Sequence, residues 1–271
     1  MELIGEIEKN KIMIMGILNV TPDSFSDGGK FYRRKDAVKK ALELVEEGAD
    51  IIDIGGESTR PGAERVKKKE ELDRVLPVIE GLRKESDVPI SIDTYKSRVA
   101  KNAIEAGADL VNDISALRFD EEMGKIAAEA GVPIVLMHMK GNPRTMQENP
   151  TYENIIEEII EFLEERKRTA IKSGISEDKI IIDPGIGFGK TAAGNYEILK
   201  RLKEFKQINS PMLLGTSRKS FIGDTLNASV EERLAGTIAT NVIGALRGAD
   251  ILRVHNVGEV KKAIKVTRKC M

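Results

Sequence analysis

Polar side chains recur at one kind of place in this chain, just after a short apolar run. They are Asn19, then Glu57, Ser58, Thr59 and Arg60, then Asp93, Asn112, His138 and Asp183, the triplet Ser217, Arg218 and Lys219, and finally Arg253 with His255. Taken singly, an Asp or Asn after a strand reads as a turn former or a helix cap; a whole ring of polar residues at the ends of successive runs reads as a site. Asp93, Asn112 and Asp183 come from three different runs and offer two carboxylates and an amide, acceptors with one donor pair. That set suits a flat ligand rich in N–H, such as a 2-amino-4-oxo ring, with Lys219 available for the ring's carbonyl. Arg60, Arg218, Arg253 and His255 form a second, separate group that seeks anions and suits phosphate. Together they describe a heterocycle carrying a phosphate-type leaving group.

The stretch "DPGIGFGKT" (183–191) ends like a phosphate-binding loop, but Pro184 stands where that motif needs glycine. Its glycines, at 185, 187 and 189, also miss the dinucleotide spacing. They are better explained by sharp turns and close backbone approach. His138, in "MHMKG", reads either as a packed structural histidine or as a ligand. With two histidines and one cysteine in the chain, a tight transition-metal site is not expected.

The elements that must position these residues follow from periodicity. The apolar runs are Met13–Leu18, Ile51–Ile54, Val88–Ile92, Asp109–Val111, Val132–Met137, Lys179–Ile182, Met212–Leu214 and Asp250–Val254. They are short and rich in Ile and Val, as strands buried on both faces are. Between them lie helical patterns at Asp36–Glu47, Glu70–Glu85, from Ser97, Glu121–Ala130, Tyr152–Ser173, Gly194–Phe205, Val230–Leu246 and Val257–Arg268. Three of these patterns stop on the same signature, "EEGAD", "EAGAD" and "LRGAD", with glycine closing a helix and aspartate opening a strand. Eight βα units in 271 residues predict one domain, an α/β fold of the (β/α)8 TIM-barrel type spanning 1–271. A doubly wound open sheet is the alternative that periodicity leaves standing. In a barrel, every strand end in the ring opens onto one face, where active sites sit.

Composition narrows the function class. Lys and Arg number 43 against 44 Asp and Glu, so the net charge of -1 argues against a nucleic-acid partner. The start "MELIGEIEKN" is too polar for a secretion signal, and no apolar run reaches membrane-spanning length. One cysteine, Cys270, excludes an internal disulfide and fits a reducing compartment, so a cytoplasmic protein without a membrane partner is expected.

The motifs "MGILNVTPDSFSDGG", "GADIIDIGGESTRPGA", "ISIDT", "MHMKGNPRTMQENP", "DPGIGFGKT", "LGTSRKSFIG" and "RVHNV" together resemble the dihydropteroate synthase family, over about Lys11 to Val260. The resemblance implies a (β/α)8 barrel. It also implies a transferase joining 6-hydroxymethyl-7,8-dihydropterin pyrophosphate to p-aminobenzoate with release of pyrophosphate, Mg2+ as cofactor, and a homodimer. By the same resemblance Asp93, Asn112, Asp183 and Lys219 would hold the pterin, and Asn19 would contact Mg2+. Arg60, Arg253 and His255 would bind pyrophosphate. Phe25, Thr59, Pro61, Phe188 and Ser220 would surround p-aminobenzoate, the target site of sulfonamides. Asp27, Lys219 and Arg253 would be the catalytic residues, with Asp27 carried over the reacting carbon by closure of the "NVTPDSFSDGG" loop and Phe25 closing one wall. Gly194 and Asn256 depart from the family pattern, where His and Asp are common. A competing reading is a pterin-binding module that presents methyltetrahydrofolate to a corrinoid protein. Such a module needs neither the anion cluster nor the loop after the first strand, so "STRPG", "SRKS" and "RVH" favour the synthase.

Overall fold

The Ile- and Val-rich runs pair as eight parallel strands in the computed structural model, which describes Gly5 and residues 12–21, 30–58 and 62–270, with 30–33 as backbone only. The strands are β1 (Met13–Asn19), β2 (Ile51–Gly55), β3 (Ile90–Asp93), β4 (Leu110–Asp113), β5 (Ile134–Met137), β6 (Ile180–Asp183), β7 (Leu213–Leu214) and β8 (Ile251–Val254). They follow one another in the order β6-β5-β4-β3-β2-β1-β8-β7. A parallel bridge from Ile182 to Met212 joins the two ends. The sheet therefore closes on itself, and the barrel rather than the open sheet is the fold.

Helices cover the outside: α1 (Lys30–Glu46), α2 (Lys68–Arg83), α3 (Ser97–Glu105), α4 (Glu122–Ala130), α5 (Ile155–Lys172), α6 (Ala192–Lys200), α7 (Ser220–Leu226), α8 (Leu234–Leu246) and α9 (Val257–Thr267). Side chains alternate along each strand. Those pointing outward, such as Ile52, Ile54, Ile90, Ile92 and Val111, pack beneath the helices. Those pointing inward make a separate apolar cluster of Met13, Met15, Ile51, Leu110, Val135, Ile181, Leu213 and Ile251. This cluster fills the lower barrel. Two residues further along β2, β4, β6 and β8, the inward positions change to Asp53, Asn112, Asp183 and Arg253. The change from apolar floor to polar mouth is written into the strands.

The three helix-stop motifs share one construction. Gly48, Gly107 and Gly248 have φ of 102°, 114° and 95°, conformations that favour glycine. The aspartate two residues on then reaches back to the preceding strand. Asp50 accepts from the Ile14 N–H at 2.8 Å, Asp109 from Ile90 at 2.8 Å, and Asp250 from Met212 at 2.8 Å. A basic side chain holds each one: Lys261 at 2.6 Å, Arg83 at 2.6 Å and Lys206 at 2.8 Å. These clasps all lie at the end of the barrel opposite the strand C-termini.

Several boundaries differ from the periodic pattern. The runs from Val88 and Val132 pair as strands only from Ile90 and Ile134, because Pro89 and Pro133 have no N–H to donate. Their carbonyls still accept, from Ile52 at 2.9 Å and Val111 at 3.0 Å. Helix α1 begins six residues before Asp36. The pattern 194–205 divides into α6 and a 3-10 segment, Leu202–Ile208; Thr191 caps α6 by accepting from the Gly194 N–H at 3.1 Å. The pattern from Val230 becomes a 3-10 turn, Glu231–Arg233, followed by α8. The short helix α7, directly after Lys219, is absent from the periodic pattern.

Candidate active site

The inward-facing polar layer at the strand C-termini converges as the ring of residues requires. Register sets Asp93 beside Asn112 on β3 and β4, with Gly55 of β2 on the other side of Asp93. Across the barrel, Arg253 donates through Nε to Asp53 at 2.6 Å and through Nη2 to Asp93 at 2.6 Å. The Asn112 amide turns its Nδ2 toward Asp53, at 3.3 and 3.4 Å from the two carboxylate oxygens. That orientation leaves the amide oxygen for a ligand. Asp93 Oδ1 is buried and has no hydrogen-bond partner among the described residues.

Asp53 is the site residue that sequence reasoning missed, although a signal existed. In "IIDIGG" it is the one charged residue of a run otherwise buried on both faces, two positions beyond inward-facing Ile51. It is fully buried and links Arg253 to Asn112. The structure also alters one grouping. Arg253 was expected in a cationic rim apart from the acceptor trio; it lies instead among the carboxylates, because two buried acids side by side need a counter-charge.

Asp183 closes the layer from β6. Its Oδ1 accepts from the Gly185 N–H at 2.7 Å. Lys219 arrives from the β7 loop, donates to the Ile186 carbonyl, and places Nζ 4.1 Å from the centre of the Phe188 ring. Burial pushes the Asp183 carboxyl up, against the Gly185 N–H and Lys219. Burial also raises Asp93, with Arg253 opposing. Desolvation brings Lys219 down to about 7, with Asp183 opposing. Burial works against the Arg253 charge, but Asp53 and Asp93 outweigh it and hold the guanidinium charged. Three acceptor groups and a poised ammonium thus face one another over an apolar floor.

The anion-seeking residues line the neighbouring wall. Ser217 Oγ lies 3.0 Å from His255 Nδ1 and accepts from the His255 N–H at 3.2 Å. Arg218, with φ of 59°, donates through Nε to Asn256 at 3.0 Å. That acceptor is a neutral amide, and Arg218 makes no ion pair among the described residues. The β7 loop that carries these residues is tied to α8, where Thr240 and Asn241 both donate to Thr216 Oγ1, at 2.9 and 3.0 Å. Ser220 is exposed as the first residue of α7.

Asn19 ends β1 in register with Gly55, half-buried, and its side chain makes no hydrogen bond among the described residues. One unpartnered amide oxygen fits Mg2+, which keeps several waters and takes its other ligands from a phosphate-bearing substrate. No cluster of three or more His, Cys, Asp or Glu that could hold a metal occurs among the described residues. Phe25, Asp27, Thr59, Arg60 and Pro61 lie outside the described residues, and with them the loop expected to close. Both ends of the stretch after β2 are nevertheless pinned. Glu57 accepts from Tyr95 at 2.6 Å, from Lys96, and from the Val66 N–H at 2.9 Å, while Lys96 also donates to the Val66 carbonyl at 2.8 Å and pairs with buried Glu71.

The glycines of the 183–191 stretch behave as turns and close approaches. Gly185, Gly187 and Gly189 have φ of 70°, 81° and 65°. A Cβ on Gly185 would sit 1.9 Å from the His138 carbonyl oxygen. His138 is buried, its ring edge-on to Phe162 with centroids 4.9 Å apart. It reads as a packed histidine.

Comparison with known proteins agrees with this geometry. The pterin binding enzyme family matches residues 15–255. A dihydropteroate synthase of Clostridium beijerinckii is 50% identical over 268 residues, covering 97% of each chain. The crystal structure of Yersinia pestis dihydropteroate synthase in a sulfonamide drug complex superposes with a TM-score of 0.92 at 44% identity, covering 96% of this chain and 94% of that one. The Xanthomonas albilineans dihydropteroate synthase with 4-aminobenzoic acid superposes with a TM-score of 0.91 at 44% identity, covering 96% and 93%.

Proposed function

This chain belongs to the pterin-binding enzyme family, among its dihydropteroate synthases, and from that premise we propose that it joins 6-hydroxymethyl-7,8-dihydropterin pyrophosphate to p-aminobenzoate. The observation that carries the reading is the acceptor layer of Asp93, Asn112 and Asp183 facing Lys219. Its acceptors match the N–H edge of the pterin, and the ammonium matches the ring carbonyl. The buried, unpartnered Asp93 Oδ1 is an acceptor for one of those N–H groups.

The amine of p-aminobenzoate is neutral at pH 7 and needs no strong base. Its nitrogen forms the new C–N bond to the pterin CH2 as the C–O bond to pyrophosphate breaks; the electron pair leaves with pyrophosphate and the amine proton goes to solvent. The harder task is stabilising the departing charge. Arg253, Arg218 and His255 suit that task in this reading, with Arg60. Phe188, beside Lys219, walls the p-aminobenzoate side, with Ser220 at its carboxylate. Phe25, Thr59, Pro61 and Asp27 keep the roles the family pattern gives them. Asn19 would hold Mg2+, which when bound neutralises pyrophosphate oxygens.

We also propose a homodimer through α7 and α8. No residue of α8, "LAGTIATNVIGAL", is charged, and Ala235, Ala239, Ile243 and Leu246 form an exposed stripe at helical spacing. Leu226 and Val230 extend it. A helix that presents an exposed apolar stripe and carries no charge is normally covered. A single cysteine, Cys270, suits the reducing cytoplasm as its location. The test of the function is to mix both substrates with Mg2+ and measure pyrophosphate. Release that requires p-aminobenzoate and yields dihydropteroate supports the reading; binding of pterin with no coupling overturns it.

A further inference from the structure

The "GKT" lysine of the β6 loop is used in neither the pterin nor the pyrophosphate assignment, yet it is among the most buried cations of the molecule. Lys190 is 3% exposed. Its Nζ lies 2.7 Å from the Gly185 carbonyl, 2.9 Å from the Phe188 carbonyl, 2.9 Å from His138 Nδ1 and 3.4 Å from the His138 carbonyl. We propose that Lys190 is a positioning residue: its ammonium is the hub that fixes residues 183–189 in the shape that sets Asp183 and Phe188 against Lys219. The proposal rests on the reading above, in which Asp183 and Lys219 hold the pterin.

Donor arithmetic supports the hub. Burial pulls the Lys190 ammonium well below its ordinary value, with Asp183 opposing; three acceptors within 2.9 Å of Nζ match the three N–H groups of the charged form. Its hydrogen bonds are thus spent within the protein, which separates it from the phosphate-facing lysine of a nucleotide loop. His138 acts as acceptor when its imidazole is neutral with hydrogen on Nε2. Burial, with Lys190, Arg118 and Lys140 around it, keeps the ring neutral. The loop packs closely on its neighbours. A Cβ on Gly187 would approach Lys219 Cδ to 2.8 Å, and one on Gly189 would approach the Lys140 carbonyl to 2.7 Å. Asn195 gives a second brace, accepting from the Gly187 N–H at 2.7 Å. With both braces in place, the Ile186 carbonyl and the Phe188 ring meet Lys219 from the same loop. Release of Gly185 and Phe188 from Lys190 therefore moves the seat of the ammonium, without touching the ligand directly.

The test compares Lys190→Met, which keeps the stem and removes the donors, with Leu163→Ala, a cavity variant at a buried position of α5 whose apolar side chain makes no hydrogen bond to Lys190. Affinity for 6-hydroxymethylpterin is measured by calorimetry well below each melting temperature. Lys190→Met is expected to bind about tenfold more weakly, the scale of one misplaced charge-assisted hydrogen bond. Leu163→Ala, destabilised but with the hub intact, is expected to bind as wild type does. Equal loss in both variants, or full affinity in Lys190→Met, would overturn the proposal. If Lys190→Met does not fold, 15N spectra of the wild type decide. His138 is expected to remain neutral with its proton on Nε2 from about pH 5 to 8, and titration near its ordinary value of about 6.5 would exclude the hub. A wild type that binds no pterin would instead refute the functional reading, and the histidine spectra would still test the hub.

Discussion

Asp183→Asn is expected to cost pterin binding roughly 3 kcal/mol or more. It converts a carboxylate facing ligand N–H groups into an amide that presents one acceptor and an opposed donor. Calorimetry giving a pterin affinity within about threefold of wild type would remove Asp183 from the site. Arg253 is a less selective residue than its place in a cationic rim would make it. Because it holds both Asp53 and Asp93, Arg253→Ala leaves two buried carboxylates without a counter-charge. The variant should lose about 3–5 kcal/mol of stability in urea titrations and should bind bare pterin more weakly as well as pyrophosphate. Lys219 supplies the pH dependence. Its ammonium is held down to about 7 by desolvation, so it is charged below that pH and neutral above it. A ligand that accepts from the charged form binds best below about pH 7 and progressively less well as the pH rises. Fluorescence titrations of pterin between about pH 6 and 9 should show this limb in wild type and lose it in Lys219→Met. Parallel profiles in the two proteins would mean that Lys219 does not donate to the ring.

At the scale of elements, the barrel separates stability from chemistry by its two ends. The clasps of Asp50, Asp109 and Asp250 join neighbouring strands at the end away from the site. Asp109→Ala removes the acceptor for the Ile90 N–H and the partner of Arg83. It should lower unfolding free energy by about 1–2 kcal/mol while both Michaelis constants stay at wild-type values. A changed KM with unchanged stability would contradict this division. The repeated "GAD" is legible along the chain because its cause is local: a left-handed glycine and a short acid at fixed spacing. The splitting of helices around Leu202–Ile208 and α7 is not, since it follows from where the barrel's seventh strand must meet its eighth.

For the whole molecule, the proposed dimer rests on the uncharged α8 and its exposed stripe. Leu246 is 46% and Leu226 50% exposed, on adjoining elements. Placing aspartates at Ile243 and Leu246 together should convert a dimer to a monomer in light scattering, with the barrel still folded by circular dichroism. A wild type that is itself monomeric at micromolar concentration would show that the stripe serves another purpose.

The eight βα units, the inward polar positions Asp93, Asn112 and Asp183, and the chemistry those residue types suit are all legible along the chain. Strand alternation and strand-end placement are local properties, and they survive in one dimension. Only closure of the barrel decided which of these groups meet. It brought Arg253 across to Asp53 and Asp93, turned the Asn112 amide by giving its nitrogen a partner 59 residues away, and buried Lys190 beneath the loop it belongs to. Those contacts depend on register around the whole sheet and on how a low-dielectric interior compensates its charges. Neither can be read from spacing along the chain.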